Sequence, residues 1–157
     1  MMKKILKFEE IDVLADKISE KILKDNKFKS IALIGDLGVG KTHISKRICK
    51  NLGVEENVKS PTFTYLLEYD LGDRTIVHFD LYRLSNIDEL YEIGYDDYIS
   101  DGNIFLIEWA NNVPEAIPDN TLYINLEHRD ETTRVVSLYK IKEGEIKYVD
   151  IDNYDFN

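Results

Sequence analysis

Apolar residues near the start of the chain recur at helical spacing. They are separated by three or four positions and lie among charged side chains, in the series Ile11, Leu14, Ile18 and Ile22. Such spacing places all four side chains on one side of a helix. The pattern predicts an amphipathic helix over residues 10–25, with its apolar stripe against a core.

A short and almost wholly apolar segment, SIALI, follows at residues 30–34. Continuous apolar runs of this length are typical of strands covered on both faces in a parallel sheet. Beyond it, Ile44, Ile48 and Leu52 recur every fourth residue, and Gly53 comes next. The order predicts a strand, a glycine-rich loop and a helix over residues 41–51 that ends at Gly53.

A second continuous apolar run, IFLI at residues 104–107, predicts another buried strand that ends in Glu108. The rest of the chain predicts a β-hairpin, a short helix that ends near Gly94, and further strands. The corresponding ranges are 62–69 and 75–81 for the hairpin, 86–92 for the helix, and 121–126 and 133–141 for the strands.

The bulk composition fits one globular unit. The chain has 157 residues, of which 43% are hydrophobic and 32% are charged, and it contains no repeat or linker-like segment. We therefore expect a single domain over residues 1–157. Its acidic and aromatic last part, about residues 143–157, is expected to be either a loose tail or a last strand, and it includes Tyr148, Tyr154 and Phe156.

The charge balance argues against direct nucleic-acid binding. The formal net charge is −10 and the pI is about 4.8, so the average surface field repels a phosphate backbone and favours protein partners. The single cysteine, Cys49, rules out an internal disulfide and fits a reducing compartment. No apolar run reaches membrane-spanning length. We expect a cytoplasmic protein with no membrane contact.

The loop after the first apolar strand carries the strongest motif. Residues 35–42, GDLGVGKT, match GxxxxGK(S/T) at every fixed position. In such a loop glycines let backbone N–H groups face phosphate oxygens, the lysine reaches the β- and γ-phosphates, and the hydroxyl binds Mg²⁺. The motif therefore predicts an ATP-phosphate and magnesium site over residues 35–42, at the start of a helix.

A phosphate-binding loop of this kind usually works with a carboxylate at the end of a neighbouring strand, which holds Mg²⁺ from the other side. Glu108 stands at the end of the second apolar strand, where that carboxylate is expected. We therefore predict a magnesium site formed by Thr42 and Glu108. The corresponding fold class is α/β, a three-layer P-loop NTPase-like fold with a mixed, partly parallel sheet.

Three further segments resemble the TsaE (YjeE) family, bacterial ATPases needed for threonylcarbamoyladenosine (t6A) modification of tRNA. They are SPTFT at 60–64, HFDLYR at 78–83 and IEW at 107–109, in family order and spacing over residues 30–110. The resemblance implies ATP and Mg²⁺ as cofactors, Lys41 and Asp80 as catalytic residues, and the transferase-complex proteins TsaD and TsaB as partners. The ATP-binding residues that it implies, together with the backbone of the residue that follows them, are Leu37, Gly38, Val39, Gly40, Lys41, Thr42 and His43. The resemblance also makes residues 60–64 a candidate switch segment that responds to the γ-phosphate.

Several residues near the motifs have two interpretations each. Asp80 either orients the attacking water or holds Mg²⁺ through a water, or else it pairs with Arg83. Trp109 either contacts the nucleotide or fills the core. His43 can offer its backbone N–H to phosphate without its imidazole, and the core interpretation is preferred for His78.

The family's adenine contacts lie in segments where this sequence matches poorly, and Arg134 is only a weak candidate for them. The leading function is a slow ATPase whose nucleotide state controls assembly with partners. The alternative is a small-molecule kinase, which would usually place several arginines around the transferred phosphate. A binding module without productive hydrolysis is a third possibility, and the chain lacks the NKxD segment typical of GTPases.

Overall fold

The computed structural model describes residues 2–99, 102–153 and 156. The helices are α1 (Phe8–Lys24), α2 (Lys41–Asn51), α3 (Ile87–Glu92) and α4 (Tyr95–Tyr98), with two 3₁₀ turns at Ala110–Asn112 and Pro114–Ala116. The strands are β1 (Lys4–Lys7), β2 (Ser30–Ile34), β3 (Leu66–Asp70), β4 (Thr75–Asp80), β5 (Ile104–Glu108), β6 (Leu122–His128), β7 (Thr133–Lys142) and β8 (Glu145–Val149).

All of these strands belong to one mixed sheet. Its order is β1-β7-β6-β2-β5-β4-β3, and β8 pairs with β7. The four central strands β6, β2, β5 and β4 are parallel, whereas β1, β3, β7 and β8 pair antiparallel with their neighbours. Because the central strands are parallel, their carboxyl ends meet at one edge of the sheet, where α/β proteins bind ligands.

Apolar layers cover both faces of the sheet. On one face α1 and α2 pack against β2 and β5 through a core that includes Ile18, Ile48 and Leu106. On the other face α3, α4 and the 3₁₀ turns pack through a second core that includes Phe79, Leu90 and Ile107. The α/β fold with a mixed, partly parallel sheet is thus confirmed.

The segments around the glycine-rich loop have the bounds that the sequence predicts. Strand β2 and helix α2 match residues 30–34 and 41–51. Helix α3 begins one residue after its predicted start, because Asn86 is its N-cap and accepts a hydrogen bond from the Glu89 N–H. Clear capping and glycine signals fix these ends.

The hairpin prediction is wrong at its start. Strand β3 begins at Leu66, and residues 62–64 instead form a turn in which the Thr64 N–H donates to the Pro61 carbonyl. Tyr65 then has a left-handed backbone with φ 67°. The second strand of the hairpin ends at Asp80, one residue earlier than predicted. Strand β1 and helix α4 were not predicted.

After residue 143 the chain forms β8 and then returns to the core. Val149 and Ile151 are buried, and the Phe156 ring stacks on Phe28 with centroids 5.9 Å apart. Tyr148 is exposed on 44% of its surface, and Tyr154 lies outside the described residues. Both β1 and β8 pair with β7, on residues Thr133–Val136 and Leu138–Lys142 respectively, so β7 joins the first and last strands to the sheet.

Candidate functional site

The predicted phosphate-binding loop leaves the sheet at the carboxyl end of β2. Gly35 has φ +153°, and a Cβ there would lie 2.5 Å from the Leu126 carbonyl oxygen. This contact explains why a glycine is needed at the start of the loop. Gly40, with φ +120°, is the N-cap of α2 and supplies no side chain to cap it. The first N–H groups of α2 are therefore free of a side-chain cap and face the loop, as an anion site requires.

The Lys41 side chain folds back over the loop. Its ammonium donates to the Gly35 carbonyl oxygen and, at 2.9 Å, to that of Asp36. It also lies 4.4 Å from the centre of the Trp109 ring, and the residue is buried. Burial lowers the pKa of Lys41, while the charges of Glu108, Asp80 and Asp36 oppose that change. These neutral carbonyl partners can be exchanged for phosphate oxygens.

The two predicted magnesium ligands are in direct contact. The sheet register aligns Leu33 of β2 with Glu108 of β5, which brings the Glu108 carboxylate beside the start of α2. The Thr42 hydroxyl donates to Glu108 Oε1 at 2.8 Å. Neighbouring ligands of an octahedral Mg²⁺ are about 2.9 Å apart, so these two oxygens have the spacing of adjacent ligands.

The donor set also suits Mg²⁺ in number. Among residues 2–99, 102–153 and 156, no group of three or more His, Cys, Asp or Glu side chains is arranged to hold a metal ion. Mg²⁺ commonly takes one or two protein oxygens and completes its shell with water and substrate phosphates. Thr42 and Glu108 therefore fit a magnesium ion that arrives with a nucleotide.

Asp80 lies on the neighbouring strand, directly across from Glu108 in the register. Its Oδ2 accepts a hydrogen bond from the Thr62 hydroxyl at 2.7 Å, and its Oδ1 accepts one from the Tyr82 N–H at 2.9 Å. The ion pair with Arg83 is not formed in the described part of the chain. The Arg83 guanidinium donates instead to the Phe63 carbonyl oxygen at 3.3 Å.

These side chains enclose one cleft of about 260 Å³. Its lining includes Lys41, Thr42, Thr62, Asp80, Glu108 and Trp109. The structure thus brings together the predicted ATP-binding loop, the predicted magnesium ligands, the predicted catalytic carboxylate and the candidate switch segment. Leu37 and Gly38 lie at the exposed mouth, whereas Val39 is buried and donates its N–H to the Asp36 carbonyl oxygen at 3.2 Å.

The residues with two interpretations are placed as follows. Trp109 has a left-handed backbone, φ 57°, and its half-buried ring forms a wall of the cleft beside Tyr82. The His43 ring turns outward to Asp12, with Nε2 2.7 Å from a carboxylate oxygen, so only its backbone faces the loop. His78 is buried, and its Nε2 contacts Glu108 Oε2.

Two contacts of the site had no signal in the sequence. Arg134 donates from Nε to the Val39 carbonyl oxygen at 2.9 Å, so a buried side chain of β7 braces the loop backbone. His78 approaches the carboxylate of Glu108 from the side opposite Thr42. Both depend on strand order and register, which no local motif encodes.

A family model described as "Threonylcarbamoyl adenosine biosynthesis protein TsaE" matches residues 6–136. The chain belongs to the TsaE family. The matched range begins in β1 and ends in β7, and it contains every residue of the cleft.

Individual relatives agree with this assignment. The TsaE protein of Haemophilus influenzae is 37% identical over 76% of this chain and 77% of that protein, and that of Rickettsia felis is 38% identical over 85% and 77%. The crystal structure of Bacillus subtilis YdiB superposes with a TM-score of 0.58 at 27% identity, over 88% of this chain and 86% of that one. In the part of the chain that the structure describes, no helix has the length and apolar character needed to cross a membrane.

Proposed function

We propose that this chain binds and hydrolyses Mg-ATP in the cleft beside α2, and that it does so in the cytoplasm as part of tRNA threonylcarbamoyladenosine biosynthesis. The relatives named above carry that biosynthesis in their names. The observation that supports the nucleotide most directly is the contact between Thr42 and Glu108, 2.8 Å apart at the start of the helix that follows the glycine-rich loop. Thr42 belongs to α2 and Glu108 to β5, and the fold brings their side chains together beside the glycine-rich loop.

A bound Mg²⁺ would neutralise charge on the β- and γ-phosphates. Thr42 and Glu108 would hold it. Lys41 would leave the carbonyl oxygens of Gly35 and Asp36 and donate to phosphate, and the N–H groups of the loop and of the first turn of α2 would surround the phosphates. Asp80 would orient the attacking water or hold the metal through water, since its carboxylate is buried in the same cleft.

A structural change at the nucleotide site can be transmitted to the protein surface through Thr62. Its hydroxyl binds Asp80 inside the cleft, while the next residue, Phe63, leaves 84% of its surface exposed. A γ-phosphate or a water that takes over either partner of the Thr62–Asp80 bond would move this loop. We propose that residues 60–64 thereby control association with the transferase-complex proteins TsaD and TsaB.

The arginine positions favour an ATPase over a small-molecule kinase. Arg47 is bound to Asp16, Arg129 to Asp130, and Arg134 to backbone carbonyls of the loop and of β7. None of these three lines the cleft. A kinase of small molecules usually needs several arginines on the transferred group.

Calorimetry and a hydrolysis assay with Mg-ATP test the first part of the proposal. The wild-type chain is expected to bind Mg-ATP, Lys41→Ala to lose at least tenfold in affinity, and Asp80→Asn to bind but to hydrolyse at least tenfold more slowly, also with TsaD and TsaB present. Lys46→Ala, an exposed lysine on the same helix, is the matched control and should behave as wild type. Equal heats from wild type and Lys41→Ala would refute the nucleotide site.

A pull-down tests the gating. Tagged chain is mixed with TsaD and TsaB in the presence of Mg-ATP, Mg-ADP or no nucleotide. Capture that depends on the nucleotide supports the proposal, and Thr62→Ala should reduce that dependence. Capture that is the same in all three conditions would contradict it.

A further inference from the structure

His78 is a polar residue in a place where the fold calls for an apolar one. It lies in the middle of β4, a central strand, and is 0% exposed. Central parallel strands are usually continuous apolar runs, and the flanking Val77 and Phe79 follow that rule. A buried polar ring lowers stability unless its hydrogen-bonding groups are satisfied. Packing alone therefore does not explain a histidine at this position.

Only one nitrogen of the ring has a partner. Nε2 contacts Glu108 Oε2, while Nδ1 is buried and makes no hydrogen bond within the described residues. The polar contact of His78 is thus directed at one atom of one side chain. That side chain is the carboxylate that we propose as a magnesium ligand.

The Glu108 carboxylate is consequently held from both sides. The Thr42 hydroxyl donates to Oε1, and the His78 ring contacts Oε2. With Nε2–H as the donor, the ring fixes the torsion of the carboxylate and leaves Oε1 aimed at the start of α2. A carboxylate without the second contact could rotate about its terminal bond and would lose that aim.

Residues that bind a metal ligand without touching the metal often set the affinity for the ion. They do so by fixing the orientation of the ligand, and their loss commonly reduces metal affinity by 10- to 100-fold. We propose that His78 is a positioning residue for the magnesium site, which holds Glu108 Oε2 so that Oε1 and Thr42 present adjacent ligands to the ion. This inference rests on the proposed function, since it concerns the same site.

The test measures how much Mg²⁺ tightens nucleotide binding. Calorimetry gives the Kd for ATP in EDTA and in excess Mg²⁺, and the ratio of the two reports the metal contribution alone. His78→Leu, of similar size and without a donor, should lower this ratio by about 10- to 100-fold. Its Kd in EDTA should stay within about twofold of wild type, which a general structural defect would not allow.

Two further variants separate positioning from packing. His78→Gln carries an amide nitrogen near the Nε2 position and should restore most of the ratio. His78→Asn also keeps a polar side chain but is too short to reach Glu108, so it should behave as His78→Leu. If His78→Leu does not fold, the comparison of these two polar variants gives the result. Ser45→Ala removes another buried polar atom that has no hydrogen bond, and it should leave the ratio unchanged.

A double-mutant cycle with Glu108→Gln completes the test. If His78 acts through Glu108, then His78→Leu should cause little further loss of the ratio in the Glu108→Gln background. The inference is overturned if His78→Leu or His78→Asn keeps the wild-type ratio, if affinity in EDTA falls as much as in Mg²⁺, or if the two substitutions are additive. If wild type binds ATP equally well with and without Mg²⁺, the proposed magnesium site itself is wrong.

Discussion

Gly35 is the residue at which the sheet ends and the loop begins. A methyl group there would lie 2.5 Å from the Leu126 carbonyl oxygen and 2.7 Å from Val39 Cγ1. Because neither neighbour is the free end of a long side chain, the steric overlap adds to the strain of the positive φ, and we expect Gly35→Ala to lower the free energy of unfolding by about 2–4 kcal/mol. Urea unfolding followed by circular dichroism measures this loss.

The matched control for this substitution is Gly144→Ala. Gly144 also has a positive φ, +79°, but no atom lies within 4 Å of its Cβ position. Only the backbone strain remains, so the loss should be about 1 kcal/mol. A Gly35 variant as stable as the Gly144 variant would show that the loop shifts to make room.

We expect the Cys49 thiol to be unreactive in the folded protein. It is fully buried, and burial together with the charge of Glu108 raises the pKa of its thiol from 9.0 to about 12. Three units leave about 1,000-fold less thiolate than an exposed cysteine at the same pH. We expect iodoacetamide at pH 8 to label the chain in urea and not without it, as mass spectrometry can follow. Rapid labelling without denaturant would contradict the burial of the helix face that carries Cys49.

Single residues also show which features of the site could be predicted from the sequence. The positions of Lys41 and Thr42 could be predicted because the backbone geometry of the loop demands a fixed spacing. The contact between His78 and Glu108 could not, because it depends on the pairing of β4 with β5, in which His78 lies opposite Leu106. A contact across strands is set by register, and register is a property of the assembled sheet.

At the scale of elements, polar side chains join α1 to α2. The Arg47 guanidinium donates twice to the Asp16 carboxylate, at 2.8 and 3.0 Å, and the Asn51 amide donates to the same carboxylate at 2.7 Å. One turn earlier, Asp12 contacts His43 at the start of α2. Helix α2, which begins at the glycine-rich loop, is thereby held in a defined rotation against α1.

This pairing predicts an acid-dependent loss of stability. The hydrogen bond from Arg47 lowers the pKa of Asp16 below its ordinary value of 3.8. Since the folded pKa is the lower one, the pair contributes stability above pH 3.8 and loses it as the pH falls through the folded pKa. We expect Arg47→Met to lower the Tm at pH 7 and to lower it by less at pH 2, where the Asp16 carboxylate is closer to full protonation.

The matched control here is Lys46→Met, which removes an exposed charge from the neighbouring position of α2. Its Tm should follow wild type at both pH values. If Arg47→Met lowers the Tm equally at pH 7 and pH 2, the arginine stabilises through its aliphatic part instead of through Asp16.

The elements that could not be predicted from the sequence lack a regular spacing of buried apolar residues. Strand β1, KILK, has only Leu6 buried and forms because β7 offers an edge to pair with. Residues 62–65 are rich in β-formers but are held by a turn and by the Thr62 side chain on Asp80. Tertiary contacts decided both cases, whereas β2 and α2 followed from local signals alone.

At the scale of the whole molecule, the segment after β8 packs into the same core as α1 and one face of the sheet. Phe156 is buried against Phe28, in the same cluster as Ile22 and Leu138. We therefore expect Phe156→Ala to lower the free energy of unfolding by about 3–5 kcal/mol, with no direct effect on the cleft. Denaturant unfolding and nucleotide calorimetry on the same samples measure the two quantities.

Phe63→Ala is the matched control, since it makes the same chemical change at a site that is 84% exposed. Its unfolding free energy should stay within about 0.5 kcal/mol of wild type. Equal losses for the two phenylalanines would mean that the chain after β8 does not stay on the core in solution.

The sequence contains one tryptophan, and the fold puts it against the Lys41 ammonium. A cation that close to an indole perturbs its excited state, and a nucleotide that draws the lysine onto phosphate would remove the perturbation. If the proposed nucleotide binds in the cleft, the intensity and wavelength of the tryptophan emission will report its occupancy without a label. Stopped-flow fluorescence can use this native probe to time the arrival and departure of nucleotide without any dye or engineered reporter.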